Sequence, residues 1–338
     1  MKIYYFILIT LKKIYSIFFV ADRLNRKIYY RSSFNVIYDA DIASEKIYNL
    51  LVSNKPCMIA RLGSNEAAIA SNYTGINSNH RSILNFIKGD CPPWWWNKRT
   101  FKRFNLMAGF FPIEIPLIEK YCKLMLSDLP LTDIFGSFDH FLYSPTYFEK
   151  LLDKNLQNAL KVKLELLEPY FSNRPWTRAL EGQKVLVVHP FQKTIEQQYQ
   201  KRELLFKNNL LPKFELKNIK AVQSMANENS KFNTWFDALN SMKQKMDEID
   251  YDMALIGCGA YGLHLAAHAK RMGKKSIHLG GALQVLFGII GKRYEDPKHV
   301  NGFYPSLFNE HWTRPMNEER PKNFHLLDHN HINHSHYW

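Results

Sequence analysis

The sequence predicts an α/β protein with a Rossmann-like parallel sheet, helices on both faces and a helical and loop insertion. Short apolar runs alternate with amphipathic helical segments, as in strands joined by crossover helices. The apolar run Met253–Ile256 is also followed by Gly257, Gly259 and Gly262. This is the G-x-G-x-x-G spacing that lets a backbone approach a phosphate at a helix N-terminus, although such glycines can also serve only to pack a strand tightly against a helix.

The first half of the chain contains one predicted strand. A helix over residues 39–51, with apolar residues at helical spacing, leads into a buried strand over residues 57–62. Gly63 ends this strand, and Ser64 is a residue type that favours the start of a helix. Prolines limit regular structure between about residues 76 and 182, so we expect an insertion of helices and loops over the sheet there.

Regular alternation returns in the second half of the chain. Apolar runs predict strands, and the amphipathic segments between them predict helices. The predicted strands cover residues 183–190, 219–224, 253–256 and 276–279, and the predicted helices cover residues 194–206 and 234–249. We therefore expect residues 41–315 to form a single domain, followed by a polar, histidine-rich tail over residues 316–338.

Residues 1–40 form a basic, aromatic segment. Its apolar stretches are broken by Lys12 and Lys13 and fall short of the ~20 residues needed to span a bilayer. Lysines directly after the first stretch also argue against a cleaved signal peptide. Two interpretations stay open: an interfacial helix that binds an anionic membrane surface through residues 1–31, or an ordinary helix that covers the core.

The composition narrows the class of partner. A net charge of +14 predicts attraction to anions such as lipid headgroups and nucleotide phosphates. No recognisable nucleic-acid-binding module accompanies this charge, so we expect no nucleic-acid partner. Four cysteines lie far apart without a C-x-x-C pair, which indicates a reduced, cytoplasmic chain. Peripheral attachment to the inner face of the plasma membrane is compatible with this location.

The loops that follow the predicted strands supply the candidate site. Ligands of open parallel sheets bind beyond the carboxyl ends of the strands, so these loops should meet at one crevice. Their cations and backbone N–H groups suit a diphosphate. Glu66 offers a carboxylate to a divalent metal, Mn²⁺ or Mg²⁺, or to a hydroxyl, and His189 offers a base. The loops are residues 61–66, 189–193, 257–262 and 280–284.

Each of these candidates has a structural alternative. Glu66 lies in the first turn of a predicted helix, where the helix dipole favours a carboxylate. His189 could cap its own strand through a backbone hydrogen bond, and Arg61 could pair with Glu66 across the turn. Near the end of the chain, Arg314 could bind a phosphate over the crevice or form a stacking pair with Trp312.

A resemblance to a known family enters at these loops. Residues 61–66, Arg-Leu-Gly-Ser-Asn-Glu, resemble the Arg-aromatic-Gly-Asp-Gly-Glu element of glycosyltransferases with the GT-D fold. Residues 257–262, 274–284 and 309–315 resemble proteins that are grouped as GT-D-like and tied to bacterial surface-polysaccharide synthesis. The resemblance covers about residues 41–315.

The resemblance implies a Rossmann-like domain that binds a nucleotide sugar through its diphosphate, often with Mn²⁺ or Mg²⁺ held by an Asp-x-Glu pair. In this chain Ser64 replaces the aspartate, which leaves Glu66 alone. The expected catalytic residues are Glu66, which is also the expected metal ligand, and His189. The expected donor-binding residues are Arg61, Gly63, Ser64, Asn65, Lys193, Gly257, Gly259, Tyr261, Gly262, Gly280, Gly281, Gln284 and Arg314.

We therefore expect a glycosyltransferase that moves a sugar from a nucleotide-sugar donor to a saccharide or lipid-linked acceptor in cell-surface polysaccharide synthesis. The replaced aspartate supports an alternative, a non-catalytic membrane-surface or scaffold protein that has kept the fold. An NAD-linked oxidoreductase is less favoured, because residues 276–279 lack the acidic residue that would hold a ribose hydroxyl.

Overall fold

A computed structural model of the chain describes residues 2–22, 35–137, 146–225, 230–297 and 299–321. The predicted histidine-rich tail lies outside the described residues from position 322 onward, as do residues 23–34 of the N-terminal segment.

Within the described residues, eight strands form one parallel sheet in the order β1-β4-β3-β2-β8-β7-β5-β6. This confirms the α/β fold predicted from the sequence. The apolar runs correctly predict the four central strands. The strands are β1 (Val36–Ile37), β2 (Cys57–Arg61), β3 (Ile134–Ser137), β4 (Leu160–Lys163), β5 (Lys184–His189), β6 (Glu215–Lys220), β7 (Met253–Ile256) and β8 (Lys275–His278).

The helices are α1 (Lys2–Phe18), α2 (Ala40–Val52), α3 (Ser64–Ile76), α4 (Ile83–Lys88), α5 (Lys98–Ala108), α6 (Ile115–Asp128), α7 (Thr146–Asn155), α8 (Gln192–Gln200), α9 (Arg202–Leu205), α10 (Trp235–Asp247), α11 (Gly262–Arg271), α12 (Leu283–Leu286) and α13 (Lys292–Glu295).

Helices cover both faces of the sheet because alternate side chains of each central strand point to opposite faces. Met58 and Ala60 of β2 belong to the core that contains α3, α5, α6, α10 and α11. Cys57 and Ile59 of the same strand belong to the other core, with α2, α8 and α12. Both faces of β2 are therefore buried, as its continuous apolar run predicts.

The segment predicted as an insertion of helices and loops also supplies two strands. β3 pairs with β2, with Ile59 opposite Ile134, and β4 pairs with β3 on its other side. Each of these strands is only four residues long. β3 contains a glycine and a serine and β4 alternates lysine with apolar residues, so neither gives a continuous apolar run and the sequence pattern missed both strands.

The chain changes direction across the sheet between β5 and β7. From β5 it passes through α8 and α9 to β6 at one edge, whereas from β7 it passes through α11 to β8 on the opposite side. Such a topological switch point leaves a crevice at the carboxyl ends of the two strands, where ligands of open α/β sheets bind. In this chain the crevice begins at His189 and Gly257.

The N-terminal segment contains α1. This helix lies against α4 and against residues 94–96, and the ring of Tyr5 stacks on that of Trp95 with 4.2 Å between centroids. Among the helices that the structure describes, none combines the length and apolar character needed to cross a membrane.

Candidate ligand-binding site

A cavity of about 260 Å³ opens at the carboxyl ends of the central strands, at the switch point. It brings together eleven of the residues that the sequence predicts for the site. Residues 107–108 at the end of α5 and residues 222–225 after β6 complete the wall. The eleven predicted residues that line it are Arg61, Gly63, Ser64, Asn65, Glu66, His189, Gly257, Gly259, Tyr261, Gly280 and Gly281.

Three other predicted donor-binding residues have contacts away from the cavity. Lys193 Nζ forms a surface ion pair with Glu318, at 2.7 Å, and Arg314 forms one with Glu295, at 2.5 Å. Gln284 is fully buried, and its Nε2 donates to a backbone carbonyl oxygen at 3.2 Å. Lys193 and Gln284 were predicted from loops after strands and Arg314 from the late segment at residues 309–315, but the side chains of all three make their contacts elsewhere.

Gly262, the last of the predicted donor-binding residues, supports the cavity from behind. A Cβ atom at this position would collide with the imidazole of His278, which itself lines the cavity. The glycine therefore permits the first turn of α11 to approach β8 closely.

Glu66 is the one carboxylate among the described residues that line the cavity. It lies in the first turn of α3 and folds back over Gly63, so that a Cβ atom on Gly63 would lie only 2.1 Å from its Oε2. Burial raises the pKa of Glu66, while a hydrogen bond with its own backbone and the positive charge of Arg61 oppose this rise. The arginine partner suggested by the sequence thus acts on the charge of Glu66, and the first turn of α3 provides a backbone hydrogen bond.

His189 presents a hydrogen-bond donor to the cavity. Its Nδ1 accepts a hydrogen bond of 3.0 Å from the backbone N–H of Phe191. Burial lowers the pKa of His189 to about 3, so the ring is neutral. A neutral imidazole whose Nδ1 accepts carries its proton on Nε2. This tautomer has no lone pair to offer at Nε2, which disfavours the predicted role of His189 as a base.

His278 is a second cavity imidazole, and its tautomer is the opposite one. Its Nδ1 lies 3.3 Å from the carbonyl oxygen of Ile256, which can only accept, so the proton is on Nδ1 and Nε2 keeps its lone pair. Burial, together with the positive charge of Arg61, lowers the pKa of His278 to about 3. The sequence analysis did not name this residue for the site, although it lies near the end of the predicted strand at residues 276–279, two positions before the glycine turn at residues 280–281.

Arg293, in α13, adds a second guanidinium group to the cavity wall beside that of Arg61. Near both arginines lies the buried carboxyl group of Glu168, which accepts hydrogen bonds from the Tyr304 hydroxyl at 2.9 and 3.0 Å. Burial raises the pKa of Glu168 to about 7, and the hydrogen bond from Tyr304 and the two arginine charges limit the rise. Arg293 follows no strand closely and Glu168 follows β4, which the sequence pattern missed, so a rule based on the predicted strand ends could identify neither.

The residues present do not form a metal site of their own. No group of three His, Cys, Asp or Glu side chains with suitable geometry occurs in the described part of the chain. At the cavity, Ser64 occupies the position of the expected aspartate, and the charge that acts on Glu66 is that of Arg61. The two guanidinium groups supply the positive charge here, and we derive no step that passes through a metal ion.

Fold and site together define a Rossmann-like α/β protein with a ligand cavity at the switch point of its sheet. The glycine-rich turns and the two arginines give that cavity the character of an anion site.

Comparisons with known proteins add a likeness in fold. No protein-family model and no curated protein sequence matches the chain. Two solved structures of the domain of unknown function 1792 are similar to it, each with a TM-score of 0.43. One is 12% identical and aligns over 78% of this chain and 82% of its own. The other, described as having a distinct glycosyltransferase fold, is 14% identical and aligns over 74% of this chain and 80% of its own. Similarity at this level does not indicate what the protein does.

Proposed function

We propose that the chain is a glycosyltransferase whose cavity binds the diphosphate of a nucleotide-sugar donor. One observation carries this proposal: two guanidinium groups, two glycine turns and an imidazole N–H donor meet at a single cavity on the switch point. Diphosphates are recognised by forked arginine donors and by backbone N–H groups in such turns. The motif resemblance at residues 61–66 and 257–262 supports a sugar as the group transferred.

The leaving group is the part of the reaction that most needs stabilisation. An oxygen of the acceptor bonds to the anomeric carbon of the sugar while the bond from that carbon to the diphosphate oxygen breaks. The electron pair of the broken bond stays on the diphosphate, where negative charge builds up. Arg61, Arg293 and the Nε2–H of His189 are donors that stabilise this charge in a site partly closed to water.

The proton of the acceptor hydroxyl needs a base, and we assign this role to Glu66. It is the carboxylate that lines the cavity, and burial raises its pKa, which makes it a better base than an exposed carboxylate. His278, with a pKa of about 3, is too weak a base to compete. Its free Nε2 lone pair suits the positioning of a sugar hydroxyl instead.

The proposal extends to the biological setting that the resemblance implies. The donor would be used on the cytoplasmic side of a membrane in the synthesis of a cell-surface polysaccharide, with a saccharide or lipid-linked acceptor. Nucleotide sugars of the UDP, GDP and dTDP type carry the diphosphate that the arginines suit. CMP-sugars carry a single phosphate and should bind more weakly.

Thermal unfolding with this panel of donors tests the proposal. A donor at about 100 times its dissociation constant adds about 2.7 kcal/mol to the free energy of unfolding, which raises the Tm by a few degrees. We expect this shift with one diphosphate donor and its loss in Arg61→Gln and Arg293→Gln. Lys193→Gln is the matched control, because it removes a cation outside the cavity.

Turnover is then measured as release of nucleoside diphosphate, which Glu66→Gln should abolish while the Tm shift with donor remains. A folded protein whose Tm responds to none of the diphosphate donors would overturn the proposal and favour the non-catalytic scaffold. If CMP-sugars raised the Tm by the same amount, the cavity would not be specific for a diphosphate.

A further inference from the structure

Helix α1 contacts the rest of the protein along one narrow side. Tyr5 stacks on Trp95, Leu8 is only 3% exposed, and Lys12 Nζ lies 4.5 Å from the ring centroid of Phe86. Positions 5, 8 and 12 lie on one side of a helix. This inward side thus includes a lysine, and burial lowers the pKa of Lys12 to about 8.

The outward side of α1 is apolar. Ile3 and Phe18 are each 77% exposed, and Phe6 is 70% exposed. A helix on a protein in water normally turns its apolar stripe to the core and its charged residues to solvent. The orientation here is the reverse, and a contiguous exposed apolar surface marks an interaction site. The large apolar side chains that α1 exposes are Ile3, Tyr4, Phe6, Ile7, Ile9, Leu11, Ile14, Ile17 and Phe18.

Exposed basic side chains occur on α1 and on the helix that follows its contact residue in the sequence. α5 begins three residues after Trp95, on which Tyr5 of α1 stacks, and it contains no acidic residue. Lys13 of α1 is exposed as well. Exposed apolar and basic side chains together complement an anionic bilayer, in which acyl chains lie beneath negative headgroups. The exposed basic residues of α5 are Lys98, Arg99, Lys102 and Arg103.

We propose that α1 is an interfacial helix that inserts its outward apolar side into the headgroup and acyl boundary of an anionic membrane. The helix has 17 residues, fewer than the ~20 needed to span a bilayer, so it lies in the plane of the membrane. The aromatic segment at residues 94–96 and α4 hold it there against the body of the protein.

The orientation of α1 adds an acceptor class to the proposed function, and this part of the inference rests on that function. α5 runs from the aromatic segment that holds α1 to Met107 and Ala108, which line the cavity. Its 11 residues correspond to about 16 Å of helix, so the cavity lies within a short reach of the membrane surface. An acceptor whose lipid remains in the bilayer could therefore present its hydroxyl to the cavity. The acceptor class we infer is a lipid-linked saccharide or lipid headgroup.

Vesicle flotation of the full chain tests the placement of α1. Wild type should float with vesicles of phosphatidylcholine and phosphatidylglycerol, and less with phosphatidylcholine alone. Phe6→Gln with Phe18→Gln should weaken binding by about tenfold for each ring removed. The control Ile42→Gln with Met272→Gln changes two side chains that are each 52% exposed outside α1, and it should bind as wild type.

A second pair of variants separates charge from apolar contact. Lys98→Gln with Arg99→Gln should lower binding to anionic vesicles by about fivefold per charge and leave binding to neutral vesicles unchanged. Thermal shifts with nucleotide sugars should be the same in all these variants, so a failed donor assignment and a failed membrane assignment remain distinguishable.

Three results would overturn the inference. Wild type that does not float with either vesicle contradicts it, and so does a phenylalanine double variant that floats as well as wild type. A wild-type dimer in solution that the phenylalanine variants convert to a monomer would show that a second copy of the chain covers α1 instead.

Discussion

At the scale of single residues, Glu66 owes its position to the missing side chain of Gly63. A Cβ atom at Gly63 would meet only the flexible carboxylate of Glu66, and the backbone φ of −72° at this glycine is one that alanine adopts without strain. Gly63→Ala should therefore displace the carboxylate and leave the fold intact. We expect turnover to fall by about 100-fold or more, towards the complete loss expected for Glu66→Gln, with the Tm unchanged to within a few degrees. Full activity of Gly63→Ala would show that the observed carboxylate position has no role in the reaction.

Glu168 makes a residue-scale contribution to stability that depends on pH. Burial raises its pKa to about 7 in the folded protein, above the ordinary value of 4.5 for an exposed glutamate. A raised pKa stabilises the folded state at low pH, and this contribution is lost as the pH rises from about 4.5 through about 7. Glu168→Gln removes the titration and still offers an oxygen to Tyr304. The Tm of the variant relative to wild type should therefore increase between about pH 5 and about pH 8, and a constant difference would contradict the raised pKa.

The sequence identifies some of these residues and not others for a physical reason. Arg61, Glu66 and His189 lie at the ends of buried apolar runs, and the topology of a parallel sheet brings such positions together. Arg293 lies in a helix of four residues and Glu168 between two short turns, and only tertiary packing determines where such short elements meet the sheet. The tautomers of the two imidazoles depend on single hydrogen bonds to the backbone, which no sequence pattern encodes.

At the scale of secondary-structure elements, two histidines of α11 pair with carboxylates in very different surroundings. His264 Nδ1 lies 2.7 Å from Asp128 of α6, and both side chains are fully buried. His268 Nε2 lies 2.7 Å from Asp247 of α10, whose side chain is 41% exposed. Asp128 also binds Arg271 at 2.5 Å. The buried carboxylate thus joins α6 to α11 through two partners.

Asp128 and Asp247 allow a matched test of how much the buried contact between α6 and α11 contributes to stability. Asp128→Ala leaves a buried imidazole and a guanidinium without their partner, so the free energy of unfolding should fall by about 3–5 kcal/mol. Asp247→Ala should lower it by about 1 kcal/mol or less, because water can replace an exposed partner. Urea unfolding of both variants measures the difference. Equal losses would show that burial does not determine the strength of the contact.

Elements differed in how well the sequence predicted them, and their apolar content explains much of the difference. The central strands β2, β5 and β7 each contain four consecutive apolar residues, and the predicted strand at β8 includes the buried Ile277 and Leu279. β1 has two residues and β4 alternates lysine with apolar residues, so neither contains the continuous apolar run that predicts a buried strand. β6 begins four residues before its predicted start, because the second half of the predicted run forms part of the cavity wall.

At the scale of the whole molecule, the sequence pattern could not predict the order of the strands in the sheet. β8 pairs with β2 across more than 200 positions, with Cys57 opposite Lys275, and on its other edge Met253 of β7 lies opposite the same lysine. Such long-range pairing leaves no local signal, because the residues that meet are apolar strand residues like any others. The predicted fold class is correct because alternation of strands and helices already implies a parallel sheet.

The place of β8 has a consequence for synthesis of the protein. Among the described strands, β8 is the last to leave the ribosome, and it lies between the half-sheet of β1 to β4 and the half-sheet of β5 to β7. Until residue 278 has emerged, the edge at β2 stays unpaired, and the edge at β7 joins it once residue 256 has been made; such edges invite pairing with other chains. The growing polypeptide therefore carries the open β2 edge through much of its translation, and a chaperone that shields this edge would protect the chain until β8 joins the two half-sheets.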